Sequence, residues 1–211
     1  MTGPSQARLK AACEMLSGAD PALARAFTET GLPVWRDAPP TYATLARMIS
    51  HQQISLGAAA AIWARTEALL GEVTAEAILA ADPEALRACG QSRPKVAHLT
   101  SIAESLVTGQ LNLARVCAAP LDEARRELLA VRGIGPWTAE LFLLYATGAT
   151  DAFPVGDVGL MEAHRLLSDQ ETRMDIKAFT AHAEVWRPHR GVAAHLLWAW
   201  LHAHRTERSR S

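Results

Sequence analysis

The segment that most limits how this chain can fold is Arg132-Gly133-Ile134-Gly135-Pro136. It separates two stretches of helical character. Upstream, Leu121, Leu128, Leu129 and Val131 recur at helical spacing. Downstream, Trp137, Ala139, Leu141, Phe142, Leu143, Leu144, Tyr145 and Ala146 predict a strongly apolar helix over 137–147. The glycines permit backbone angles that other residues avoid, and a proline is tolerated in the first turn of a helix. A tight turn that opens onto a helix start leaves several N–H groups without intrahelical partners, and with the helix dipole they suit a phosphate. The turn alone also admits a plainer reading, in which the glycines only let two helices pack closely. A second landmark follows. Asp151-Ala152-Phe153-Pro154-Val155-Gly156-Asp157 is a loop that ends in an acid at the start of a third predicted helix, Val158–Leu167.

The rest of the chain reads as helix too, with no run of alternating apolar residues that would mark a strand. Helices are expected over about 5–16 and 21–30. A loop from Gly31 to Pro40 follows, in which Trp35 reads as a core anchor in preference to part of a pocket wall. Leu45, Met48 and Ile49 share a helical face, the pattern breaks over 50–55, and a further helix covers about 56–70. Asp82 is placed to cap a helix beginning at Pro83, and Asp175 to cap another running to about Val185. The turn from Gly90 to Lys95 carries Arg93 and Lys95, which read as merely exposed in preference to phosphate contacts, before a helix over 96–107. Trp200 reads as core. His195, His202 and His204 lie on the last helix, but no carboxylate at helical spacing completes a metal site there.

Charge excludes little. Lys+Arg number 21 against 22 Asp+Glu, a formal net charge of −1, and the balance holds on either side of Pro120. Nucleic-acid binding would therefore rest on a local patch. Arg187, Arg190, Arg205, Arg208 and Arg210, set against Glu184 and Glu207, read as a solvated basic tail. Cys13, Cys89 and Cys117 are far apart, which fits a reducing compartment better than a disulfide framework. The first residues carry no apolar signal segment, and no run approaches the length of a membrane span.

Hairpin and spaced aspartate together resemble the helix-hairpin-helix (HhH-GPD) DNA glycosylase superfamily, in which a G-[IV]-G hairpin grips the DNA backbone and a Gly/Pro-rich loop carries a catalytic aspartate. Gly133, Gly135, Pro154, Gly156 and Asp157 match that pattern. Two further segments narrow the resemblance to the 3-methyladenine DNA glycosylase II family. Ile49-Ser50-His51-Gln52-Gln53-Ile54-Ser55 is similar to the segment that pushes a side chain into the duplex, and Gln53 falls at the wedge position, where many relatives have leucine. Read from the residues alone, Gln52 and Gln53 would cap neighbouring helix ends. Trp186-Arg187-Pro188-His189-Arg190 with Trp198 is similar to the family's W-[RK]-P-x-R-S segment, with Gly191 in place of the usual serine, a change expected to weaken a helix cap.

The resemblance covers about Thr41 to Trp198 and implies an all-α chain, a single HhH-GPD glycosylase domain over 1–211. One lobe spans about 41–155, including the hairpin 121–147, and the other spans about 1–40 plus 156–211, with a cleft between them for DNA and a flipped base. There is no room before Thr41 for the N-terminal β-domain of some relatives. The implied reaction is hydrolytic removal of alkylated bases such as 3-methyladenine or 7-methylguanine. The implied sites are Asp157 as catalytic carboxylate, Trp137 and Trp198 as walls of the base pocket, and Gln52, Gln53, Arg132, Gly133, Ile134 and Gly135 as DNA contacts. A monovalent cation on hairpin carbonyls would be consistent with the family; no other metal is expected. With no cysteine after Cys117, the iron–sulfur cluster of some relatives is not expected, and no cofactor is. The expected partner is double-stranded DNA bearing alkylated bases, bound by a monomer in the cytoplasm and on the nucleoid. Two other readings stand beside this one. A plain helix-hairpin-helix DNA-binding module would need neither the acid nor the aromatics. A bifunctional glycosylase/lyase for oxidised bases would carry a lysine where Trp137 stands, and the chain's lysines are Lys10, Lys95 and Lys177.

Overall fold

The computed structural model describes residues 3–208. All its regular structure is helical, and no strand occurs among the described residues. The chain divides into two compact units, one formed by Met1–Asp37 with Leu144–Ser211 and the other by Ala38–Leu143. The first begins with α1 (Gln6–Ala19) and α2 (Pro21–Thr30). Ser5 caps α1 by accepting from Arg8 N–H, and Asp20 caps α2 by accepting from Ala22 N–H, with Pro21 in the position that needs no hydrogen.

The second unit contains α3 (Tyr42–His51), α4 (Leu56–Leu70), α5 (Ala75–Ala80), α6 (Pro83–Ala88), α7 (Arg93–Val107), α8 (Leu113–Ala118), α9 (Leu121–Leu129) and α10 (Pro136–Phe142). Its core is Leu45, Ile49, Leu99, Ile102, Leu128 and Phe142, all buried. Side-chain caps set most starts: Thr41, Ser55, Thr74, Asp82, Ser92 and Asn112 each accept from a backbone N–H in the first turn of the helix that follows. The Ser92 cap starts α7 at Arg93, earlier than expected, with Pro94 in its first turn. Arg93 is exposed. Lys95 is not the exposed turn residue expected, because its ammonium reaches α3 and donates to Ser50 O at 2.8 Å and Gln52 O at 2.9 Å.

The chain then returns to the first unit. Leu143–Thr147 form a π-helical turn, so α10 is shorter than the continuous helix expected over 137–147. α11 (Val158–Leu167), α12 (Ile176–His182), a 3₁₀ turn (Ala183–Trp186) and α13 (Arg190–Arg208) complete it. Leu16, Leu23, Phe153, Phe179, Trp186 and Leu197 are its buried centre. The units part at Leu143/Leu144, ahead of the lobe boundary expected near 155. The loop before Asp157 binds to α13: Gly191 N–H donates to Thr150 O at 2.7 Å, and Arg190 grips Asp151 through both of its carboxylate oxygens at 3.0 and 2.9 Å.

That grip corrects the reading of a solvated tail at Arg190; Arg187 is exposed as expected, but it is tied into ion pairs. Arg190 is 7% exposed and also bonds Glu184, while Arg187 bonds both Asp151 and Glu184. Arg210 lies outside the described residues. Gly191 is not a weakened cap either. A Cβ there would sit 2.8 Å from Thr150 O and 2.9 Å from Ala152 O, so the loop and α13 approach too closely for any side chain. No helix among the described residues is long and apolar enough to cross a membrane.

Candidate active site and DNA-contacting elements

The two hairpin glycines have different jobs. Gly133 has φ +100°, and a Cβ on it would meet His98 of α7 at 2.7 Å, so both backbone angle and packing demand glycine. Gly135 sits at φ −87°, ψ 172°, a conformation any residue adopts, and nothing lies within 4 Å of where its Cβ would be. It is the N-cap of α10, and no side chain caps that helix. The turn closes with Ile134 N–H donating to Val131 O. Ile134 itself is buried, 4% exposed, so its side chain belongs to the core and only its backbone could meet a ligand. Arg132 is exposed. Arg125 of α9 pairs with the buried Glu140 of α10 and ties the two arms together.

The loop between α3 and α4 lies in the same unit. Gln53 is exposed at φ +59°, one of two non-glycine residues with positive φ among the described residues. Such a conformation costs on the order of 1 kcal/mol or more and persists where its surroundings impose it. Beside it Ile54 is 38% and Leu56 83% exposed, apolar surface that sequence reading passed over. Gln52 is half-buried, and its amide donates to Thr138 Oγ1 of α10 at 2.6 Å while its carbonyl accepts from Lys95. It is therefore an internal strut between the loop and the hairpin's second helix. In the residue-level reading both glutamines are helix caps; Gln52 is the C-cap residue of α3, and its side chain points elsewhere.

Asp157 lies in the other unit, half-buried at the N-cap of α11. Its Oδ1 accepts from Leu160 N–H at 3.0 Å and from the indole N–H of Trp198 on α13 at 3.3 Å. Gly156 before it turns the chain at φ +80°. Gly159 leaves room beside it, since a Cβ there would be 3.1 Å from the Asp157 oxygen. Around Trp198 stand Tyr145 and His195, at ring separations of 6.2 and 5.7 Å, and Arg36, whose guanidinium carbon is 5.9 Å from the indole centre. Trp35 is only half-buried and stacks on His195 at 4.1 Å. Burial pushes the Tyr145 phenol up from its ordinary range, against a smaller opposing effect of Arg36, its hydrogen-bond partner. Burial pulls His195 down to about 4. Neutral imidazole has one donor and one acceptor, and here Nδ1 lies 2.8 Å from Gly191 O while Nε2 accepts from Arg36 N–H at 3.3 Å. Trp137 is half-buried in the unit of the hairpin.

The structure thus gathers Asp157 and Trp198 in one unit, and Gln52, Gln53 and the hairpin in the other. Sequence reading missed Arg36 and Tyr145 beside Trp198, and the Asp151–Arg190 pair that anchors the loop. A buried arginine opposite an aspartate leaves no local signal. The W-R-P-x-R spacing pointed to that region without naming its partner.

Comparison with known proteins fits this arrangement. Residues 46–188 match the family described as HhH-GPD superfamily base excision DNA repair protein. The chain is 32% identical over 162 residues to DNA-3-methyladenine glycosylase 1 of Schizosaccharomyces pombe, covering 74% of this chain and 71% of that one. It is 29% identical over 163 residues to DNA-3-methyladenine glycosylase 2 of Escherichia coli, covering 72% and 55%. Among solved structures, the S. pombe 3-methyladenine DNA glycosylase in complex with abasic DNA superposes with a TM-score of 0.80 at 30% identity, over 89% of this chain and 94% of that one. With its hairpin, its aspartate at a helix start and two thirds of its length matched, the chain belongs to the HhH-GPD superfamily of base excision DNA repair proteins.

Proposed function

We propose that this protein is a monofunctional DNA glycosylase that excises alkylated bases, of the 3-methyladenine and 7-methylguanine kind, by hydrolysing the N-glycosidic bond. One observation carries the reading: Asp157 is held at the start of α11 with the Trp198 indole N–H on the same oxygen as the capping N–H. A protonated or alkylated purine is already a good leaving group, so the demand falls on the sugar, which becomes cationic as the bond breaks. A carboxylate fixed before the reaction stabilises that charge without reorganising and can orient or deprotonate a water. The base must first leave the stack. Gln53, at the exposed loop tip, fills the gap it leaves, and the Gly133–Gly135 turn and α10 start hold the backbone phosphates. The hairpin carbonyls are hard oxygen donors that suit a monovalent cation; Val131 O, for one, accepts from Ile134 N–H and keeps a second lone pair. Trp137 occupies the position where lyase relatives carry lysine, so water is the nucleophile. The same reading has the protein act as a monomer in the cytoplasm, on the nucleoid when bound to DNA.

The test uses duplexes with single lesions. Asp157→Asn keeps a capping oxygen and loses the charge, so DNA binding persists and single-turnover excision falls by about 10²–10³, the usual cost of one key electrostatic group. Borohydride traps no covalent complex with the unmodified protein. Near-normal excision by the variant leaves Asp157 as a helix cap only, and a trapped complex ends the monofunctional assignment. Trp198→Phe separates two contributions of the indole. The N–H on Asp157 serves every substrate, whereas the ring face serves cationic bases through cation–π attraction. Since phenylalanine keeps a face, excision of 7-methylguanine and of neutral hypoxanthine falls together, roughly tenfold for one hydrogen bond to a charged acceptor. Loss confined to the charged base assigns the indole to the pocket alone.

A further inference from the structure

The first unit holds a second cluster of titratable side chains that the proposed reaction leaves unused. Asp20 caps α2, His164 lies on α11, and His182 ends α12. Asp20 and His164 are buried, 4% and 3% exposed. Asp20 Oδ1 is committed to the cap, accepting from Ala22 N–H at 2.8 Å. Its Oδ2 faces three ring nitrogens: His182 Nε2 at 2.7 Å, Trp186 Nε1 at 2.9 Å and His164 Nε2 at 3.5 Å. Burial pushes the Asp20 carboxyl up, but the ring nitrogens of His164, His182 and Trp186 that face it hold it well below the usual carboxylate range. The carboxylate is therefore charged. His164 Nε2 is sealed from solvent and makes no hydrogen bond of ordinary geometry, and an unsatisfied buried nitrogen is costly. The two imidazoles stand 4.6 Å apart at 61°, and the ligand atoms of all three residues lie within 4.8 Å of one another.

Two imidazoles and one carboxylate are a donor set for zinc-like divalent ions. Bonds of about 2.0–2.2 Å in tetrahedral geometry space the ligand atoms by roughly 3.3–3.5 Å. The His164–Asp20 separation already has that spacing. The His182–Asp20 contact is shorter and must open. His182 is the ligand placed to yield, with its side chain 32% exposed at the end of a seven-residue helix, and that exposure gives an ion its entry and a water its place as fourth ligand. Trp186 N–H remains on the carboxylate as the outer support that metal ligands ordinarily have. Phe179 and Trp186 pack against the His164 ring at 5.6 and 5.8 Å and keep that side apolar.

We propose that Asp20, His164 and His182 bind one zinc-class divalent cation in a structural site that pins the start of α2 and the end of α12 to α11, the helix that Asp157 begins. The test uses the full chain after dialysis against chelator into metal-free buffer. Zinc is titrated calorimetrically, and cobalt is followed by its visible absorption. The expected result is one equivalent bound, a cobalt spectrum of tetrahedral type, and a Tm that rises until that equivalent is filled. His182→Asn, at the surface, and His164→Gln, in the core, each lose at least tenfold in affinity. His202→Asn, on an exposed position of α13, binds as the unmodified protein does. No stoichiometric binding of either metal overturns the proposal, as does binding that survives both variants. So does a Tm insensitive to metal that rises on mild acidification, which marks a proton shared between Asp20 and the histidines instead. Excision by the metal-free protein at a temperature where it stays folded is unchanged, so failure here does not bear on the Asp157 reading.

Discussion

At Gly133 and Gly135 one residue type serves two ends that substitution can separate. Gly133 is required by the fold, through its left-handed backbone and its approach to His98. Gly135 has no such reason within the protein, so its bare Cα is open to a ligand's approach. Gly133→Ala therefore lowers Tm, by the equivalent of about 1–3 kcal/mol for strain and overpacking. Gly135→Ala leaves Tm and circular dichroism unchanged while weakening binding to damaged and undamaged duplex alike; unchanged affinity on titration removes the hairpin from the DNA contact. His195 gives a pH dependence of known sign. Its folded pKa, about 4, lies below the unfolded value near 6.5. The unfolded chain therefore takes up the proton first, and this stability is present above pH 6.5 and is lost as pH falls toward 4. The size is about 3 kcal/mol at most. His195→Phe keeps a ring against Trp35 and flattens Tm between pH 6.5 and 4 relative to the unmodified chain; identical pH profiles refute the assignment.

At the scale of elements, the α3–α4 loop is built before any DNA arrives. Lys95 holds two of its carbonyls, Gln52 is bonded to Thr138, and the tip residue Gln53 is left exposed in a strained conformation. A wedge is useful only where a duplex must be held open. Gln53→Ala accordingly reduces excision from paired duplex several-fold more than from single strands, and equal losses on both would remove the wedge role. The loop before Asp157 is braced in another way, by bidentate Arg190 on Asp151 and by the contact at Gly191 that excludes a side chain. Both braces join residues far apart in sequence. That is why helix periodicity and caps marked nearly every element, α4 to the residue, while the partners of Gln52, Lys95, Arg187 and Arg190 were not foreseen. Local rules see a polar residue near a turn and infer solvent; only tertiary pairing shows where its hydrogen bonds go. The same limit hid the π-helical turn at Leu143–Thr147, whose sequence is as helical as what precedes it. The placement of Asp157 at a helix start was legible because its motif, unlike its neighbours Arg36 and Tyr145, is contiguous in the chain.

For the whole molecule, the all-helical class followed from period, and a unit assembled from segments on either side of the other was expected from the resemblance, with its inner boundary now at Leu143/Leu144 rather than near 155. In that unit α2 packs on α1, α11 and α13. This has a consequence for the order of events on the ribosome, where domains fold as units as they emerge. Ala38–Leu143 is a single run, and every partner in its core exists once Leu143 has been made. Helices α1 and α2 precede that run and yet must wait through the whole of it for α11 and α13. The turn proposed to hold phosphate is thus complete early. The carboxylate proposed to break the glycosidic bond is set only when Trp198 arrives, well after Leu143. On the proposed roles, a nascent chain passes through a stage in which the phosphate-holding turn is formed and the carboxylate for base removal is not yet set, and the reverse order does not arise.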